Sequence, residues 1–307
     1  MLKNREVILA KIEGTYNTDS VPVATDAVLV ENLSWANEGL RMNDRPAVRA
    51  SIGKLKKIYG GRLLSVSFDV EIKGSGTAGT APEYGPLLRA CAMGETIVAI
   101  TSVTYAPAST AHASCTLYLY RDGKRIIVTG CRGNASFNLE TGMQGKISFN
   151  MTGHVAAETD TTMITPTYDS TVPVPVLSAG FSVGAYAAVI SKLAFDLGNT
   201  IATPPDINTA DGYAAVQITG RDVNGSFDPE DTLVATKNWL ADLMAGTNRV
   251  LTTGVIGSTA GNRHQFSMPA IFLLDASPGD RDGVTVYEIP FGAAESAGDD
   301  EFSLVFT

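Results

Sequence analysis

Between Leu64 and Lys73 the chain alternates without a break: Leu64, Val66, Phe68, Val70 and Ile72 are apolar, and Ser65, Ser67, Asp69, Glu71 and Lys73 are polar. Successive side chains of a strand point to opposite faces, so this run specifies a strand with one face in a core and the other wet. Shorter runs of the same kind, rich in Val, Ile, Thr and Ser, recur between turns supplied by 30 Gly and 14 Pro. The chain is therefore expected to be mainly β.

The pattern occurs twice. Residues 28–40, with Leu33 and Trp35, resemble residues 189–201, with Leu193 and Phe195. A second strand follows in each half, Leu64–Lys73 and then Ala214–Gly225, and each ends in Gly-Ser. A Pro-Glu pair comes next (Pro82-Glu83 and Pro229-Glu230). Pro at a first turn and Glu at the positive end of the dipole predict a helix in each half. The first spans Glu83–Met93 and stops at Gly94. The second spans Pro229–Ala245, with Asp228 as N-cap and Gly246 past its end. Strands return at Thr96–Tyr105, Cys115–Tyr120 and Lys124–Thr129 in the first half. Final hairpins are expected at Asn134–Leu139 with Lys146–Thr152, and at Ala270–Asp275 with Val284–Ile289. The Thr-, Ser- and Pro-rich stretch after Asp160 contains VPVPV, which is unsuited to a central strand. It divides the chain into a first domain (1–160), a linker (161–180) and a second domain (181–307). The first domain carries an extra loop, 41–61, where the second closes the same gap with an acidic, Pro-rich segment.

Charge is uneven. Residues 1–160 hold 17 Lys+Arg against 15 Asp+Glu, a net of +2; residues 161–307 hold 6 against 17, a net of −11. An acidic chain lacks the basic surface that grips nucleic acid, yet suits a surface that lets nucleic acid pass. The basic loop, with Lys54, Lys56, Lys57 and Arg62 at its end, either attracts the acidic half of a neighbouring copy or is a solvated surface loop.

No reactive constellation is visible. Gly74–Thr80 lacks the Gly-Lys-Ser/Thr ending of a phosphate-binding loop, and residues 275–283 place Pro278 at a ligand position of a calcium loop. His112, His154 and His264 stand apart, and Cys91, Cys115 and Cys131 have neither metal nor redox spacing. They read as buried thiols. The expectation is no enzyme, no cofactor and no metal. No run is apolar enough for a membrane span, and the four apolar residues Val7–Ala10 are too few for a secretory signal, so no membrane partner and assembly in a cytoplasm are expected. A carbohydrate-binding or adhesin module is the alternative from another class, but it would cluster its aromatics on one face.

Four segments, ILAKIEGTYNTDSVPVATDAVLV (8–30), GSGTAGTAPEYGPLLRACAMGET (74–96), IGSTAGNRHQFSMPA (256–270) and GDRDGVTVYEIPFGAAESAGDDEFSLVF (279–306), cover both halves. Together they resemble the tail tube proteins of long-tailed bacteriophages, a family also similar to the inner tube of type VI secretion. The resemblance implies a β-sandwich or split barrel flanked by one helix, here two in tandem. It implies stacked rings whose strands line a channel for the genome, in a virion tail assembled in a host bacterium. Its partners would be other copies, the tape-measure protein and DNA in the lumen, and terminator and distal tail proteins at the ends. Family rings are six-fold in domains, so three two-domain chains would close one; six single-domain chains are the runner-up. Four strands per domain give about 24 strands and a backbone diameter of roughly 37–48 Å. The lining is expected from the polar strand faces: Ser65, Ser67, Asp69, Glu71, Asn134, Ser136, Asn138, Ser148 and Asn150 in the first copy, and Gln217, Thr219 and Glu288 in the second. The loop residues Lys54, Lys56, Lys57 and Arg62 are expected at the contact between rings.

Overall fold

The computed structural model describes Leu2 and residues 5–307; Met1, Lys3 and Asn4 lie outside the described residues. The first half contains β1 (Glu6–Ile12), β2 (Ala27–Val28), β3 (Glu31–Glu38), β4 (Met42–Asn43), β5 (Ile58–Tyr59), β6 (Leu63–Glu71), α1 (Gly85–Ala90), β7 (Met93–Val98), β8 (Ser102–Pro107), β9 (Cys115–Arg121), β10 (Lys124–Glu140) and β11 (Lys146–Asp160). The second contains β12 (Ser182–Val183), β13 (Lys192–Asp196), β14 (Thr200–Ala202), β15 (Gln217–Gly220), β16 (Asn224–Phe227), α2 (Trp239–Ala245), β17 (Arg249–Thr252), β18 (His264–Leu273), β19 (Ser277–Arg281), β20 (Val284–Ala293) and β21 (Ser303–Phe306). The chain is mainly β, and all of its strand pairs are antiparallel among the described residues.

The strand read most firmly from sequence, β6, is central. It pairs with β3 on one side and β11 on the other. The ladder then continues β11–β10–β13–β16–β20. The outer edge of β20 is met by β18 along Phe291–Ala293 and by β19 along Val284–Glu288. From β18 the sheet passes through β21 to β8 and β7. It curls so that Phe266 and Phe302 pack on Phe137 and Phe195, with ring centroids 5.1–5.8 Å apart. Val66, Phe68, Val70, Phe149 and Met151 from one half join Phe195, Phe227, Phe266 and Phe291 from the other in a single apolar cluster. The linker contributes Val176 to that cluster, and the joint between β10 and β13 spans it.

Pairing register brings out a repeat that linear comparison hides. In the first half Ser34 faces Ser67, which faces Asn150. In the second, Ala194 faces Ser226, which faces Pro290. Matching Ser67 to Ser226 aligns SFDVE (67–71) with SFDPE (226–230). The order β3–β6–β11–β10 then returns as β13–β16–β20–β19. The disguise has a steric cause: Val66 corresponds to Gly225, where a Cβ would lie 2.7 Å from the Phe291 ring.

Several boundaries differ from the sequence reading. The expected helix at Pro229–Ala245 forms only from Trp239. Asp228 does not cap it; its carboxylate accepts from the Ser191 and Lys192 amides, both at 2.9 Å. Pro229 and Glu230 instead continue the sheet: Pro229 accepts from the Tyr287 amide and Glu230 bridges Val286. Asn238 is the cap, its Oδ1 accepting from the Ala241 amide, while Gly246 ends the helix at φ +60° as expected. Glu83 likewise serves no helix dipole. It pairs with the buried Lys73 at 3.3 Å and accepts from the Leu29 and Asp169 amides. Thr96–Tyr105 is a hairpin rather than one strand, turning through Ile100 at φ +61°. That turn lacks the Gly, Asn or Asp that would have marked it. Lys124–Thr129 and Asn134–Leu139 merge into β10, whose register shift between Thr129 and Arg132 absorbs the break.

Candidate functional site

The polar positions of six paired strands share one face. One row across the sheet reads Asp69, Ser148, Ser136, Asp196, Asn224 and Gly292; the next reads Glu71, Lys146, Asn138, Ala194, Ser226 and Pro290. A third reads Ser34, Ser67, Asn150 and Asn134, and Ser65 lies one row further on, opposite Thr152. The alternation that buries Phe68, Phe149, Phe137 and Phe195 on one side exposes this face on the other. Every first-half residue named from sequence is therefore brought together here. Glu288 has the same parity as Pro290 on β20 and extends the face. Gln217 and Thr219 do not join it: they lie on β15, which pairs only with β14 as a separate two-stranded sheet. Asn224 and Ser226 occupy the place expected for them. Asp196, Lys146 and Lys192 also belong to the face. The signal for Asp196 was its alternation with Phe195 in a strand too short to stand out.

The side chains of this face are largely tied to one another. Asp69 accepts from Ser148 Oγ at 2.5 Å and from Asn32 Nδ2 at 2.7 Å. Ser34 and Ser67 hydroxyls meet at 2.7 Å, Ser65 donates to Asn150 at 3.1 Å, and Asn134 donates to Asp196 at 2.6 Å. Lys146 donates to Glu31 at 2.6 Å, and that bond raises its pKa. Six carboxylates (Glu31, Asp69, Glu71, Glu140, Asp196 and Glu288) thus share the face with two ammonium groups, Lys146 and Lys192. Between Ser67, Asp69, Ser136 and Asn150 the surface is a shallow hollow of about 420 Å³. Such a face has few unengaged donors for a phosphate and an excess of negative charge to repel one.

Residues 41–61 form an arm. β4 and β5 pair at its base, and Val48 and Ile52 are fully exposed beyond them. Arg41 lies 4.0 Å over the Tyr213 ring and donates to Gly212 O at 3.1 Å; the Tyr213 hydroxyl donates to Gly39 O. These contacts clasp the base to the second half. Lys57 pairs with Asp44 across the arm at 3.2 Å, and Arg62 is held at the base by Asn37 Oδ1 at 2.5 Å. Lys54 and Lys56 form no ion pair among the described residues. The arm leaves the sheet at the Leu63 end of β6. At the opposite end the β19–β20 hairpin extends past Glu71, carrying Asp280 and Asp282.

Elsewhere no cluster suggests chemistry. Among the described residues no group of three or more His, Cys, Asp or Glu has the arrangement to hold a metal ion. The three thiols are free and buried, and burial pushes those of Cys91 and Cys131 well up. His154, between Tyr16 Oη at 3.2 Å and Asp211 at 2.5 Å, is buried with Tyr16 bound to the Val216 amide, so this trio fastens the halves together. No described helix is long and apolar enough to cross a membrane.

A family model described as phage tail tube protein matches residues 3–293. The chain belongs to the phage tail tube family. It is accordingly a structural component of a phage tail, located in the virion, in a family whose members self-assemble with other tail components. Comparison with curated proteins finds no match.

Proposed function

We propose that three copies of this chain close into a ring, that rings stack head to tail into the tube, and that the polar face lines a channel conducting the genome. The observation that carries this is the sheet itself. It runs β3–β6–β11–β10–β13–β16–β20–β19, four strands from each half, and both terminal strands have an unpaired outer edge among the described residues. An exposed long edge is a pairing template, and closure of a ring removes it. Three such arcs give about 24 strands and a bore of the width estimated from strand spacing. The matching strand order supports a chain made of two fused copies of one unit.

The arm and the acidic hairpin lie at opposite ends of the strands, on the two rims of the arc, so stacking one ring on the next brings opposite charges together. This contact is heterologous and does not close, which makes a tube rather than a particle. Lys54, Lys56 and Lys57 reach the neighbouring ring in this reading, while Arg62 secures the arm at its root. The lumen would hold the tape-measure protein and then DNA; terminator and distal tail proteins would cap the ends. Assembly would take place in the host cytoplasm, without catalysis. Negative-stain microscopy of the concentrated protein tests the reading: rings or tubes with a central hole are expected, and dispersed monomers at every concentration would overturn it.

A further inference from the structure

The joint between the two halves is present twice in this chain, once closed and once open. In the closed copy β10 pairs with β13: Ser136 faces Asp196, Phe137 faces Phe195 and Asn138 faces Ala194. The counterpart of β13 is β3, with Ser34, Trp35 and Ala36 in the places of Ala194, Phe195 and Asp196, because Ser34 faces Ser67 as Ala194 faces Ser226. The counterpart of β10 is found across the hairpin. Ser136 and Phe137 face Ser148 and Ile147 of β11. Ser277 and Pro278 face Glu288 and Tyr287, the corresponding residues of β20. β19 therefore stands where β10 stands, and its outer edge is unpaired among the described residues.

We propose that β19 of one copy pairs antiparallel with β3 of the next, with Ser277 opposite Ala36, Pro278 opposite Trp35 and Gly279 opposite Ser34. This rests on the ring reading above and adds to it the edge, the direction and the register. Side chains support the match. In the closed joint Phe137 and Phe195 stack at 4.7 Å on the core side of the sheet. In the open one a Trp faces a Pro, so an aromatic again meets a flat apolar partner. Pro278 has no N–H and offers the neighbour only its carbonyl, which makes β19 a poor template for pairing with another β19 and leaves β3 the better partner. Arg281 already binds Asp228 at 3.0 Å and Glu230 at 2.9 Å within its own chain, which holds the edge in place before a neighbour arrives.

A disulfide reads the register. Leu197 donates to Ala135 O at 3.1 Å, so odd residues of β10 bond across the closed joint and Ser136–Asp196 is a non-hydrogen-bonded pair. Its counterpart, Ser277 with Ala36, would hold its Cα atoms about 4.5 Å apart, within disulfide reach. Both positions are exposed in the single chain. The experiment oxidises assembled tubes of Ser277→Cys/Ala36→Cys and, as an offset control, Ser277→Cys/Glu31→Cys, whose partner lies about 16 Å further along the strand. Tubes are dissolved in detergent without reductant. The in-register variant should yield a covalent trimer, at least about tenfold more than the offset variant. Tubes with no cross-link, or with equal cross-linking in both variants, would overturn the joint and leave the ring standing. Chains that stay monomeric under the microscope would overturn the ring reading, and the joint with it.

Discussion

Phe68 and Asp69 are adjacent in the chain and have opposite surroundings, because a strand turns successive side chains to opposite faces. Phe68 packs on Phe149 at 5.6 Å, while Asp69 binds Ser148 and Asn32 on the polar side. Substituting Asp69→Lys and Glu71→Lys together should leave the core and tube assembly intact. Each new ammonium would attract a passing phosphate by about 1 kcal/mol in water, so genome delivery should slow several-fold in an ejection assay. Normal delivery through such tubes would contradict the role given to this face. His264 makes a prediction of a different kind. It is fully buried against Phe266 and Phe306, its ring nitrogens have no partner, and burial lowers its pKa to about 4. The folded chain thus favours the neutral ring. Its share of stability is complete above the unfolded value of about 6.5 and is lost as pH falls to about 4, roughly 3 kcal/mol in all. His264→Leu should remove that share: between pH 7 and pH 4 its unfolding midpoint should fall less than that of the parent chain. An equal fall in both would contradict this. Alternation made Phe68 and Asp69 legible in the sequence. Nothing local marked Asp228 or Glu83, whose partners, Ser191, Arg281 and Lys73, come from other segments of the chain.

At the scale of elements, what was legible depended on whether a signal was local. The β6 alternation and the Gly246 helix end rest on neighbouring residues and match the structure. The Pro229–Ala245 helix misled because Pro-Glu also suits the end of a strand, where the Pro229 carbonyl stays bonded to Tyr287 and Glu230 bridges Val286. The Gln217 and Thr219 pair shows the same limit: two polar residues in alternation identify a strand but not the sheet it joins. The arm was visible as a basic insertion, while its clasp by Tyr213 was not, since the two are far apart in sequence. Lys54→Glu with Lys56→Glu should preserve the clasp and ring formation but weaken stacking, since each rim charge pair is worth about 0.2–1 kcal/mol and every ring carries several. Sedimentation should show rings in place of long tubes, and the parent's stacking should weaken with salt. Tubes of unchanged length would remove the arm from the contact between rings.

At the scale of the whole molecule, the eight-strand run, its repeated strand order and its two edges unpaired among the described residues are what the proposed assembly rests on. In that proposal the closed joint inside the chain serves as the pattern for an open joint between chains. The resemblance in the sequence pointed to a tube. The register that aligns SFDVE with SFDPE needed the structure, because Gly225 and Pro229 replace strand-forming residues. Native mass spectrometry of rings released from tubes weighs this account most directly. A chain of 32.3 kDa should give rings of three copies, about 97 kDa. A six-copy ring, or a lone chain from tubes known to be intact, would contradict it.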